Sequence, residues 1–151
     1  MRIGVGWIFL WAFLDKVFGL GFATKLESAW LGGTSPTAGF LKFATKGPFA
    51  EFYQGLAGNP LVDWLFMLGL LFVGIAMLSG IMVRLGSYAG ALMMFLMWTA
   101  AFPPVNNPFL DEHIIYLLLF LFFAASKAGH YMGFGARWEK VPFVRRNPIL
   151  E

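Results

Sequence analysis

Asn106-Asn107-Pro108-Phe109-Leu110-Asp111-Glu112-His113-Ile114-Ile115-Tyr116 opens a run that stays greasy to Ala125 and ends at Ser126. From Ile114 onward only Tyr116 and Ser126 are not strongly apolar, so the run needs hydrocarbon or a core around it. Its first turn nevertheless carries three ionisable side chains in succession, Asp111, Glu112 and His113. Asn107 suits the cap of a helix beginning at Pro108: its side chain can accept a free first-turn N–H, and proline forfeits no bond there. The acids then face the positive pole of the helix, which steadies each by about 0.3–1 kcal/mol when exposed. Two readings result, a well-capped helix and a polar functional cluster.

Composition names the solvent for such a helix. Of 151 residues, 59% are hydrophobic and 13% charged, with a mean hydropathy of +0.71. A soluble domain is about 45–50% apolar and about 25% charged, so this chain lacks the polar residues to coat a globule of its size. Trp64–Val83 and Leu85–Phe102 carry no charge, and a helix of about 20 apolar residues crosses the hydrocarbon layer. Isolated strands are excluded there, because each unpaired backbone group in lipid costs several kcal/mol. The predicted fold is all-α: a polytopic membrane protein, one four-transmembrane-helix bundle over residues 1–151. Spans are expected at about 3–22, 61–81, 85–102 and 108–127, with a partly interfacial loop at 23–60 and a cytoplasmic tail at 128–151.

The basic start followed by Ile3–Leu14 imitates a secretory leader, but no small-residue cleavage site follows and Asp15-Lys16 interrupts. In the long first loop, Phe49, Phe52, Tyr53 and Leu56 repeat at helical spacing, which predicts a short amphipathic helix on the bilayer surface or capping the bundle. Asn59-Pro60 opens the second span, Gly80 and Arg84 mark a tight turn, and Pro103-Pro104 ends the third. Asn59-Pro60-Leu61-Val62-Asp63 and Asn107-Pro108-Phe109-Leu110-Asp111 share one pattern, read as a common way of starting a helix.

Four spans leave both termini on one side. Placing that side in the cytoplasm gives it Arg2, Arg84, Lys127, Arg137, Lys140, Arg145 and Arg146, against Lys16, Lys25, Lys42 and Lys46 opposite, in accord with the positive-inside tendency. The expected location is the cell membrane, with the lipid bilayer as first partner. A net charge of +3, scattered along the chain, gives no reason to expect nucleic acid. The absence of cysteine excludes thiol relays and cysteine-ligated clusters made by this chain alone. His113 and His130 lie about 25 Å apart on a continuous helix and cannot share one haem or metal ion, so neither is expected.

With that topology Asp15, Lys16, Glu27, Glu51, Asp63, Asp111, Glu112 and His113 gather toward the outer face. Ionisable groups within a span are costly and mark a pathway, a proton relay or a ligand site. The competing reading is that Asp15 and Lys16 pair across the bundle with Asp111 or Glu112 and lock the helices. Trp11, Phe13 and Phe18 beside Asp15 could line a flat pocket for a quinone, which needs apolar walls and a few groups to bind and protonate its oxygens. The candidate catalytic residues are Asp15, Lys16, Glu112 and His113, and the candidate quinone lining is Trp11, Phe18, Asp111 and Tyr116. Past Ser126, the Gly-rich and then basic tail reads as a phospholipid-facing anchor.

Trp7-Ile8-Phe9-Leu10-Trp11-Ala12-Phe13-Leu14-Asp15-Lys16 resembles the opening helix of the DoxX/DoxD family of small membrane proteins. Asn107-Pro108 with Asp111-Glu112-His113, and Ala128-Gly129-His130-Tyr131-Met132-Gly133 closing the last helix, resemble the same family. The resemblance implies a four-helix transmembrane bundle and, by way of its DoxD branch, a membrane subunit of a thiosulfate:quinone oxidoreductase paired with a second subunit. On that expectation Lys16, assisted by Lys25, meets the anionic donor, Glu112 and His113 exchange protons with the quinone, and Asp15 orients Lys16. The alternatives are a non-enzymatic anchoring or assembly partner, self-association into a homo-oligomer included, and a small-solute or proton pathway.

Overall fold

The computed structural model describes residues 1–105 and 107–151; Asn106, which heads the stretch quoted above, lies outside the described residues. The described residues form helices joined by turns and irregular segments, without strands. Four long helices, α1 (Arg2–Phe18), α4 (Pro60–Ser79), α5 (Val83–Ala101) and α6 (Glu112–Ala125), carry the core. Between α1 and α4 lie two short ones, α2 (Ala38–Phe43) and α3 (Ala50–Gly55), and beyond α6 come α7 (Gly135–Trp138) and α8 (Pro142–Arg146).

Consecutive long helices run antiparallel, and small residues set their approach. A Cβ added at Gly6 would fall 2.8 Å from the Leu78 nitrogen, and one at Gly74 would fall 2.8 Å from the Leu10 nitrogen, so α1 and α4 touch backbone to backbone. Between α4 and α5, Gly86 faces Ala76; between α5 and α6, Gly90 lies flat under the Phe120 ring. Phe9 of α1 meets Phe120 edge-on at 5.2 Å between ring centres, which joins the first helix to the last. The buried core of Phe9, Met67, Val73, Met77, Met94 and Phe120 lies along this axis. The outward faces are apolar too: Trp7 and Ile8 on α1, Leu65 and Leu68 on α4, Leu92 and Phe95 on α5, Ile115 and Leu118 on α6 are all exposed.

Among the described residues one helix, Pro60–Ser79, is long and apolar enough to cross a membrane by length and composition. The sequence predicts four. The other three fall short because α1 has 17 residues, α6 has 14, and α5 begins with Arg84, Gly86 and Ser87 in its first turns.

The fourth apolar segment is predicted to start at Pro108, yet α6 begins at Glu112 with Asp111 as its cap. The Asn107 side chain accepts instead from the N–H groups of Phe109 and Leu110, closing a turn before the helix. Asn59 behaves as predicted: it caps α4, with Pro60 in the first turn and the Leu61 N–H on its side chain. One sequence pattern therefore has two local outcomes.

The loop between α1 and α4 folds down on the ends of the long helices. The Lys46 N–H donates to the Ala100 carbonyl at 3.1 Å. Gly47, at φ 71, sits where any Cβ would strike the Phe102 carbonyl, so glycine is required by both its dihedral and the close approach. The predicted short helix is present as α3, and its Tyr53 hydroxyl bonds the Thr99 hydroxyl at 2.6 Å.

At the opposite end Gly80, at φ 79, turns the chain from α4 to α5 and lies against the Gly129 carbonyl and the Gly133 backbone. The Gly-rich segment after α6 is thus a docking strip, and the Phe134 N–H donates to the Ser79 carbonyl at 2.9 Å.

Candidate functional site

Antiparallel packing brings the end of α1 and the starts of α4 and α6 to one end of the molecule, together with Asp15, Lys16, Asp63, Asp111, Glu112 and His113. Their partners differ from those the sequence suggests.

Asp15 is 2% exposed. One carboxylate oxygen accepts the Thr24 N–H at 2.8 Å and the other the Phe22 N–H at 3.3 Å. Both donors lie in the loop just past α1, which has no ladder to satisfy them, and an unmet buried N–H costs about 1–3 kcal/mol. The acid's role is therefore to fold the loop back over the helix end; its oxygens are occupied by backbone rather than by Lys16. Asp63 does the same from the first turn of α4. Buried at 6% exposure, it takes the hydroxyls of Ser35 at 2.8 Å and Thr37 at 2.5 Å. These hydroxyl partners are invisible to any search for charge pairs.

Lys16 is half-buried and takes part in no salt bridge among the described residues. Neither it nor Asp15 is joined by a hydrogen bond or ion pair to Asp111, Glu112 or His113 among those residues, so the expected cross-bundle lock is not formed. The reason is local: Asp15 is claimed by its own loop. Trp11, half-buried, packs edge-on with Phe22 at 5.1 Å and tilted against Trp7 at 5.6 Å, while Phe18 is exposed.

At the head of α6 the structure does bring candidates together. Asp111 accepts the Ile114 N–H through Oδ1, capping the helix, and places Oδ2 2.8 Å from His113 Nδ1. Both side chains are half-buried. A carboxylate there fixes the imidazole tautomer with the proton on Nδ1 and leaves Nε2 as the free nitrogen. Tyr116 follows His113 by three residues, on the same helical face, and packs against the core. Glu112 is exposed. Asp111, Glu112 and His113 each offer one ligand atom within 4.8 Å of the others, a partial set for a divalent cation.

The sequence reading passed over Arg2, counting it only as a charge on the inner side. It is 5% exposed, and its Nη1 donates to the carbonyls of Met77 and Leu78 while Nη2 donates to those of Tyr131 and Met132, at 3.0 and 3.1 Å. Met77 and Leu78 lie in the last turn of α4, where carbonyls have no helical donor and the dipole is negative. Arg2 therefore ties the start of α1, the end of α4 and the segment after α6 into one joint.

Two acids complete that end. Glu139 pairs with Lys127 at 2.6 Å and His130 at 2.8 Å; Glu151 pairs with Arg84 at 3.4 Å and lies 3.9 Å from Lys127. The hydrogen bond from Lys127, with the charges of Lys127 and His130, holds the Glu139 carboxyl below the usual carboxylate range.

No family model, curated protein or solved structure matches the chain.

Proposed function

We propose that the chain is a four-span integral membrane protein of the DoxX-like kind, acting as a membrane-embedded anchoring or assembly subunit whose buried acids are structural. The observation that carries this reading is how Asp15 and Asp63 are engaged: each binds donors of the loop between α1 and α4 and so fastens that loop to a long helix. The membrane is supported by the exposed apolar faces of all four long helices, for which water would be a poor solvent. Exposed Phe109 and Leu110 extend the greasy length of the short α6. Both termini are assigned to the cytoplasm, and the loop-covered end to the outer face.

The test uses the absence of cysteine, which makes every introduced thiol unique. Sealed membranes containing K42C or R145C are labelled with an impermeant maleimide, and separate samples are washed in alkaline carbonate. Retention in the pellet, with labelling of the two positions from opposite sides, is expected. Extraction by carbonate, or labelling of both from one side, overturns the four-span reading.

The second reading is a subunit of quinone-linked electron transfer, and one observation favours it: the Asp111–His113 pair with Tyr116 three residues on, half-buried at the loop-covered end. His113 Nε2 and the Tyr116 hydroxyl could exchange protons with a quinone oxygen, and Lys16, in no salt bridge among the described residues, could meet an anionic donor such as thiosulfate. Its test is quinone reduction by the purified protein with and without thiosulfate. Loss of turnover in folded H113Q and K16A supports the redox role; no turnover in the wild type leaves the anchoring role as the better account.

A further inference from the structure

We infer that the end opposite the loop, built from the start of α1 and the segment after α6, binds anionic phospholipid: an acyl chain in a groove, the head group on arginine and lysine. The inference rests on the membrane reading above. Two independent observations support it.

The first is an imbalance of charge. Arg137, Lys140, Arg145 and Arg146 are all exposed, and none forms a salt bridge among the described residues. The two acids of this segment, Glu139 and Glu151, are already engaged by Lys127, His130 and Arg84. Four cations thus face solvent with no internal counter-charge. Interleaved with them are exposed apolar side chains, Phe134, Val141 and Phe143. Cationic heads among aromatic and aliphatic groups match a leaflet surface, where apolar groups enter the acyl boundary and cations meet phosphate.

The second is a cavity. A groove of about 440 Å³ is lined by Ile3 of α1, Phe122 and Phe123 of α6, and Tyr131 and Met132 beyond it. Its walls are mainly apolar and it is open along one side, as an acyl chain lying against the helices requires. Tyr131 and Met132 also begin the segment that carries the four cations, which links groove and basic residues along the chain. Committing to lipid follows from this pairing: a soluble anion would use the charges and leave the groove empty, and an apolar peptide would do the reverse.

The test is native mass spectrometry of the detergent-purified full chain, titrated with phosphatidylglycerol or phosphatidylcholine of identical chains. A preference of roughly tenfold or more for phosphatidylglycerol at low salt is expected, weakening as salt rises. The variant R137Q/K140Q/R145Q/R146Q should lose that preference while keeping the wild-type melting temperature in lipid-free detergent, since these side chains hold nothing else together. Inorganic phosphate, lacking a chain, should not displace the bound lipid. Equal retention of both lipids, displacement by phosphate, or binding of single-stranded RNA as tight as that of phosphatidylglycerol each overturns the inference. Failure of the membrane reading is seen separately, as a protein that stays dispersed when detergent is removed.

Discussion

The carboxylate of Asp15 accepts the backbone N–H of Thr24 at 2.8 Å, nine residues further along the chain. A charge that looks like a catalytic group in the first helix is thus the fastening of the loop that follows it. Asp15→Ala leaves the donors of Phe22 and Thr24 unmet and should cost about 1–3 kcal/mol for each one that stays buried. Asp15→Asn, with one acceptor oxygen left, should recover part of the loss. Thermal unfolding in detergent measures both; an alanine variant as stable as wild type would refute the role.

Gly74 and Gly4 separate close approach from helix propensity. A Cβ at Gly74 meets the Leu10 backbone at 2.8–3.0 Å, whereas one at Gly4 meets nothing within 4 Å. Gly74→Ala must therefore push α1 from α4 and should destabilise by about 1–3 kcal/mol. Gly4→Ala should be neutral or stabilising by up to about 1 kcal/mol, as alanine is the better helix former. Melting temperatures of the two variants in one detergent decide it.

Arg2→Met removes the donors shared by four carbonyls of two distant segments. The expected loss is about 1.5–3 kcal/mol for a charged hydrogen bond, with faster hydrogen exchange across Tyr131–Phe134. Arg2→Lys should rescue little, since an ammonium cannot reproduce the planar fork. Full rescue by lysine would mean that charge alone matters.

Glu139 gives the joint a dependence on acid. Its carboxyl is held below the usual range by Lys127 and His130, so its ionised form is favoured more in the folded chain than in the unfolded one. Its contribution is fully present above the ordinary carboxylate range and is lost as pH falls through the depressed folded value. Protection of the amides in Ala128–Trp138, taken relative to their intrinsic exchange rates, should fall as pH drops from the ordinary carboxylate range through the depressed folded value. Glu139→Gln should flatten that profile.

The helical elements were legible in the sequence because charge-free apolar runs leave few alternatives. The helices α4 and α5 overlap the charge-free runs Trp64–Val83 and Leu85–Phe102, each starting a few residues earlier than its run, and Gly80 turns the chain where expected. The start of α6 was not, because Asn107-Pro108 copies Asn59-Pro60 residue for residue in type while Asp111 competes as a cap and wins. In the candidate site, the Asp111–His113 neighbourhood was readable from adjacency on one turn. The partners of Asp15 and Asp63 were not: main-chain N–H groups and loop hydroxyls have no spacing rule that reveals them. Arg2 was hidden for the same reason, its partners being carbonyls.

The helices associate most extensively in two couples, α1 with α4 and α5 with α6, while α4 and α5 touch more lightly. A ribosome delivers each couple as a separate parcel. The first cannot close until the long intervening loop has passed and α4 has emerged, so α1 must wait alone with Asp15 exposed to whatever surrounds it. The second closes over the shorter segment 102–111, which contains Pro103-Pro104. The first couple is accordingly the contact of greater sequence separation, and closing it carries the larger loop entropy.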